Sequence, residues 1–153
     1  MIDIERSEKA RCAMKLFKEG YNCSQSVLGA WCAELGLDMK TAAALSAGFG
    51  GGMGRMREVC GACTGAFMAL GLKYGSYLPT DAQKKKEMYE IIQKFAARFK
   101  EENGFDSIIC RELLGLPSGA SEPKPAPRTE SYYKKRPCGE LVGIAAALLT
   151  EFM

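Results

Sequence analysis

Apolar side chains recur at three- and four-residue steps along most of the chain, the spacing of one helix face. Ala10, Ala13, Met14 and Phe17 set the step first and predict a helix over residues 4–19, which Gly20 ends from the C′ position. "YNCSQSVLGAWCAELG" predicts the next helix: Asn22 is an N-cap, Gln25 at N3 completes a capping box, and Gly36 stops the run. Cys23 then stands at the first helical position. "LDMKTAAALSAGF" reads as a short helix capped by Asp38 and broken by the glycines that begin at Gly48.

A long apolar stretch without strand alternation predicts a buried helix from about Val59 to Tyr74, with Gly61 and Gly65 on one face. Glycine costs roughly 1 kcal/mol against alanine inside a helix. The pair therefore implies close approach of another backbone. Thr80 or Asp81 caps a long amphipathic helix that turns Met88, Ile91, Ile92, Phe95, Ala96 and Phe99 inward and ends near Gly104. Asp106 is expected to cap a brief helix carrying Cys110. Residues 117–131 hold four of the six prolines and read as an exposed, extended connection without helix. Pro137 fits the start of a last apolar helix with Cys138 in its first turn. No repeat or convincing strand emerges, so the expected architecture is an all-α, compact single-domain bundle of five or six helices over residues 1–153.

Composition adds that this is an ordinary globular chain, 47% hydrophobic and 25% charged. No apolar run approaches the roughly 18–20 residues of a membrane span, and "MIDIERSEKAR" is charged where a signal peptide would be apolar. The expected location is cytoplasmic, not membrane-embedded. A net charge of +3 is mild, and the basic run Lys84–Lys86 is followed by Glu87 and Glu90 at helical spacing, which argues against a nucleic-acid partner. The apolar terminal helices would suit a homodimer.

The chemistry is narrowed by an absence. With no histidine in the sequence, Ser-His-Asp and Cys-His catalysis, HExxH zinc sites and His-ligated haem are excluded. Seven cysteines remain, and without a secretion signal they point to metal binding or redox work rather than a disulfide framework. Cys23, Cys60, Cys110 and Cys138 each fall at or near a predicted helix start, where unpaired N–H groups and the helix dipole favour a thiolate and are expected to lower its pKa. Cys12 and Cys32 lie inside their helices and read as packing residues. Cys63, three residues after Cys60, would serve as a resolving thiol, a fifth ligand or a filler.

Gly48, Gly50, Gly51, Gly52 and Gly54 match neither GxGxxG nor GxxxxGK[ST], and no strand precedes them, so a nucleotide loop is not expected. Their bare amides can approach an anion, with Arg55 and Arg57 adding positive charge. A thiolate-ligated iron–sulfur cluster is such an anion, which makes Gly50, Gly51, Gly52, Gly54, Arg55 and Arg57 candidate cofactor contacts.

"EGYNCSQSVL", "GFGGGMGRMREVCGACTGAFMALGLKYG", "CRELLG" and "RPCGELV" together resemble the C_GCAxxG_C_C family, described as redox-active, and "CGACTG" supplies its C-G-A-x-x-G motif from Cys60 to Gly65. The resemblance places the four family cysteines on Cys23, Cys60, Cys110 and Cys138 and leaves Cys63 in a variable position. The family is in turn similar to part of the split-Soret cytochromes, where a cysteine-ligated iron–sulfur cluster accompanies haems; with no C-x-x-C-H here, only the cluster half carries over.

The expected function is therefore electron transfer at a metal site formed by Cys23, Cys60, Cys110 and Cys138. It would hold an iron–sulfur cluster, or otherwise zinc or Cu(I), and work with a redox partner that the sequence does not identify. One alternative is a metal-free thiol-disulfide oxidoreductase in which Cys60 attacks and Cys63 or another cysteine resolves. The other is a binding or structural module without any cofactor. Electron-transfer or thiol-redox chemistry is favoured over hydrolysis or group transfer.

Overall fold

The computed structural model describes residues 2–153 and folds them into eight α-helices around one continuous core. These are α1 (Glu8–Lys18), α2 (Cys23–Trp31), α3 (Met39–Ser46), α4 (Gly61–Tyr74), α5 (Ala82–Asn103), α6 (Cys110–Leu114), α7 (Glu130–Lys135) and α8 (Cys138–Leu148). Short 3-10 turns follow α3 and α8. The chain is all-helical as expected, with more helices than five or six; α7 lies where the sequence predicted none. Among the described residues the only β-type pairing is an isolated antiparallel bridge between Val59 and Ile109.

Most boundaries follow the caps. Asn22 and Gln25 form the capping box of α2, and Asp38 and Asp81 accept from Thr41 and Lys84 at the starts of α3 and α5. Three boundaries differ. Helix α1 starts at Glu8, where Ser7 accepts from the Ala10 amide, so the acidic residues before it stay outside. Helix α2 ends at Trp31, and the chain turns through residues 32–36 before Gly36, with its φ of 74°, completes the exit. Asp106 caps nothing: it has a φ of 52°, and α6 begins only at Cys110.

Helix α8 is the hub. Its apolar run from Leu141 to Leu148 is buried throughout, and α1, α2, α4 and α5 all pack on it. The terminal helix on which a dimer was expected thus places these side chains inside its own core. The Trp31 indole donates to the Ala146 carbonyl at 3.0 Å, satisfying an oxygen in the last turn of α8 that has no partner within the helix. Phe95 and Phe99 of α5 close the far side; each is wholly buried, worth about 1.5–3 kcal/mol of transfer free energy apiece. Cys32 joins this core, whereas Cys12 is exposed on α1 and is not the packing residue its mid-helix position suggested. Among the described residues, no helix is long and apolar enough to cross a membrane.

Candidate functional site

Two glycines bring the first two cysteines together. A Cβ on Gly65 would lie 2.6 Å from the Ser24 carbonyl oxygen, and one on Gly61 would lie 2.9 Å from the Cys23 Cβ. Helix α4 therefore crosses the start of α2 at backbone distance, as the glycine pair implied. Cys60, the N-cap residue of α4, arrives beside Cys23, the first residue of α2.

The third cysteine is tied to Cys60 by backbone. The Cys60 amide donates to the Ile108 carbonyl at 2.7 Å and the Cys110 amide donates to the Glu58 carbonyl at 2.6 Å, on either side of the Val59–Ile109 bridge. An ion pair between Arg111 and Glu58 at 3.1 Å closes the same junction. Cys138 completes the set from the first turn of α8.

The glycine segment forms the adjoining wall. Gly51, Gly52, Met53, Gly54 and Arg55 all have φ between 63° and 69°, a left-handed turn that costs L-residues roughly 1–2 kcal/mol each. Three of the five are glycines, which pay nothing. Met53 and Arg55, like Arg57 further on, adopt that conformation at a cost, a pattern found at sites the surroundings hold in place. Gly52 also allows close approach: a Cβ there would sit 2.6 Å from the Cys110 Cβ. Gly50 does the same for the α2 cap, where a Cβ would meet the Asn22 side chain at 2.5 Å.

The result is a cavity of about 420 Å³ lined by Cys23, Cys60, Cys110 and Cys138, by Gly50, Gly51, Gly52 and Gly54, and by Arg55 and Arg57. All ten residues singled out from the sequence as metal or cofactor contacts face one space. Cys63 is not among its walls; it lies in the first turn of α4 and is wholly buried in the core.

The sequence reading missed the fourth side. The proline-rich segment runs across the cavity: the Ser121 amide donates to the Arg55 carbonyl at 2.8 Å, Arg55 Nε donates to the Glu122 carbonyl at 2.6 Å, and Arg57 Nε donates to Ser121 Oγ at 2.8 Å. Pro123, Pro125, Ala126 and Arg128 line the cavity from there, so the connection is solvent-facing on one side only. Thr129 then caps α7, which supplies Tyr132, and Arg136 follows. The only advance signal was the basic and aromatic run "RTESYYKKRPC" leading into Cys138.

Electrostatics partly reverses the helix-start expectation. Burial raises the Cys60 thiol to about 12, and burial also raises Cys110 even though Arg57 Nη1 donates to its sulfur at 3.6 Å. Cys23 is raised by its hydrogen bond to Cys138 and then by burial. Only Cys138 is lowered, first by that same hydrogen bond from Cys23 and then by Arg136, Arg57 and Arg128. A helix dipole is a modest effect, and desolvation of a thiolate outweighs it at Cys60 and Cys110, whereas at Cys23 the interaction with Cys138 leads and burial follows. Among the described residues, no carboxylate is ion-paired with Arg55, Arg57, Arg128 or Arg136. Arg57 is only 3% exposed.

Fold and cavity define an all-helical thiol protein whose chemistry-bearing side chains are cysteine and arginine, assembled from four helix starts. The chain belongs to the family described as "Putative redox-active protein (C_GCAxxG_C_C)", whose model matches residues 21–152. No curated protein and no solved structure matches the chain.

Proposed function

We propose that Cys23, Cys60, Cys110 and Cys138 hold one iron–sulfur cluster, or a similar polynuclear thiophilic centre, through which the protein transfers electrons. The observation that carries this reading is the convergence of four thiols from four separate helix starts on one cavity without a carboxylate among its walls. A sulfur-only donor set suits iron–sulfur, zinc or Cu(I) rather than hard cations. Among the described residues, no three Cys, Asp or Glu side chains are grouped closely enough to hold a single metal ion.

When bound, such a cluster supplies one-electron exchange at a potential set by its charge, hydrogen bonds and solvent exposure. The protein's own residues tune each of these. Arg57 donates to the Cys110 sulfur, and Arg136, Arg57 and Arg128 favour the thiolate of Cys138. The segment around Ser121–Arg128 limits access of water. Because burial keeps Cys60 and Cys110 protonated, metal binding must release protons, and loading becomes more favourable as pH rises.

Anaerobic purification followed by visible absorption and iron and sulfide assays tests the reading. Broad charge-transfer absorption with iron and sulfide in near-equal amounts is expected. A colourless, metal-free protein with four free thiols would remove it.

A second reading rests on Cys23 and Cys138, which line the same cavity and shift one another's protonation in opposite directions. In a dithiol mechanism these two sulfurs would form a disulfide, passing two electrons to an external oxidant and releasing two protons. Cys60 and Cys63 offer less to such a mechanism, since burial raises both thiols and Cys63 lies outside the cavity. Peptide mapping after treatment with diamide would return a Cys23–Cys138 link, reversible by dithiothreitol.

A further inference from the structure

Four arginines line the cavity beside the cysteines: Arg57 is buried, and Arg55, Arg128 and Arg136 are half-buried. Burying a guanidinium without a partner is costly, so cations inside a protein are normally paired. Among the described residues none of the four has a carboxylate partner. Two of them have structural duties: Arg128 donates to the Phe17 and Tyr21 carbonyls and stacks 4.1 Å over the Phe17 ring, and Arg57 bridges Ser121 and Cys110. Arg55 Nε donates to the Glu122 carbonyl, and among the described residues the end of its fork makes no further hydrogen bond. The Arg136 side chain makes no hydrogen bond or ion pair among the described residues; its guanidinium lies 5.1 Å from the Tyr132 ring centre.

Arg55 and Arg136 line the same cavity. Burial, then the like charges of Arg57 and Arg136, hold the Arg55 guanidinium below its usual range. The volume, about 420 Å³, lies in the range of roughly 300–1,000 Å³ typical of small-molecule sites. Its remaining walls are apolar, including Phe17, Leu114, Pro123 and Leu141. Arg136 lines both the cavity and a neighbouring groove of about 720 Å³ that runs along α7 and the start of α8.

We propose that this cavity binds a small organic oxyanion beside the cysteines, with its anionic group on the guanidiniums of Arg136 and Arg55 and its hydrocarbon part against the apolar wall. Guanidinium forks match carboxylate and phosphate geometry, and the apolar wall selects a ligand with a carbon body over an inorganic ion. The ligand would share the cavity, and Arg55, with any group the cysteines hold. The site would place a substrate within reach of a redox centre rather than leave the protein a simple electron relay.

The test is calorimetric titration of the anaerobically purified protein with benzoate, phenyl phosphate and inorganic phosphate, with metal content measured on the same sample. Iron analysis and anion binding are then read separately, and failure of one does not stand for failure of the other. Benzoate or phenyl phosphate is expected to bind, and whichever binds more tightly identifies the anionic group. Binding should weaken about tenfold or more in Arg136→Gln and in Arg55→Gln, less in Arg136→Lys, and not at all in Arg11→Gln on the exposed face of α1. Circular dichroism and melting of each variant confirm that it is folded. No binding of either organic probe, equal binding of inorganic phosphate, or binding that folded Arg136→Gln and Arg55→Gln leave unchanged would overturn the proposal.

Discussion

Gly65 decides how closely Cys60 can approach Cys23. Its missing Cβ leaves room for the Ser24 carbonyl, so Gly65→Ala must push α4 away from α2 at a fully buried crossing. The expected cost is about 1–3 kcal/mol, read as a lower melting temperature. At the same scale lies a pH effect. The unfolded chain loses the Cys60 proton near 9, whereas the folded, metal-free chain holds it to about 12. The folded state then binds more protons than the unfolded state across that window. Stability is therefore full below pH 9 and falls as pH rises, by about 1.4 kcal/mol per pH unit for each such thiol. Denaturant titrations of metal-free protein between pH 8 and 11 should show this fall, and Cys60→Ala should make it shallower. The Gly61–Gly65 crossing was legible in the sequence because glycine inside a helix demands a reason. The raised thiols were not, because helix position is written in the sequence and depth of burial is not.

Elements bring further residues to the cavity. The strap formed by residues 121–128 is held at one end by Arg55 and Arg57 and at the other by Arg128 on the Phe17 carbonyl of α1 and the Tyr21 carbonyl just beyond it. Removing the last contact in Arg128→Ala should cost about 1.5–3 kcal/mol, in line with hydrogen bonds to a charged group. It should also speed proteolytic cleavage within residues 117–131, while the α8 core stays protected. Folded, cleavage-resistant Arg128→Ala would show that the strap is held elsewhere. The sequence marked this region as an extended connection from its prolines, and it is one up to Thr129. Helix α7 escaped notice because "ESYYKK" has no apolar period; its signal was the Thr129 cap alone. The left-handed turn at Gly51–Arg55 was readable as a tight bend but not in its direction, since Met53 and Arg55 take positive φ against their own preference.

Across the whole molecule, four distant cysteines meet because α8 is the hub on which the long helices pack, and two glycine contacts and a backbone bridge set the final approach. That convergence makes the central claim sharper than metal binding alone. Single Cys→Ser variants at positions 23, 60, 110 and 138, and at 12, 32 and 63, can be purified anaerobically beside the wild type and assayed for iron and acid-labile sulfide per chain. The first four should lose most of both, while Cys12→Ser, Cys32→Ser and Cys63→Ser retain wild-type amounts. A wild type without iron, or a loss at Cys63→Ser as large as at Cys60→Ser, would contradict a shared four-cysteine site.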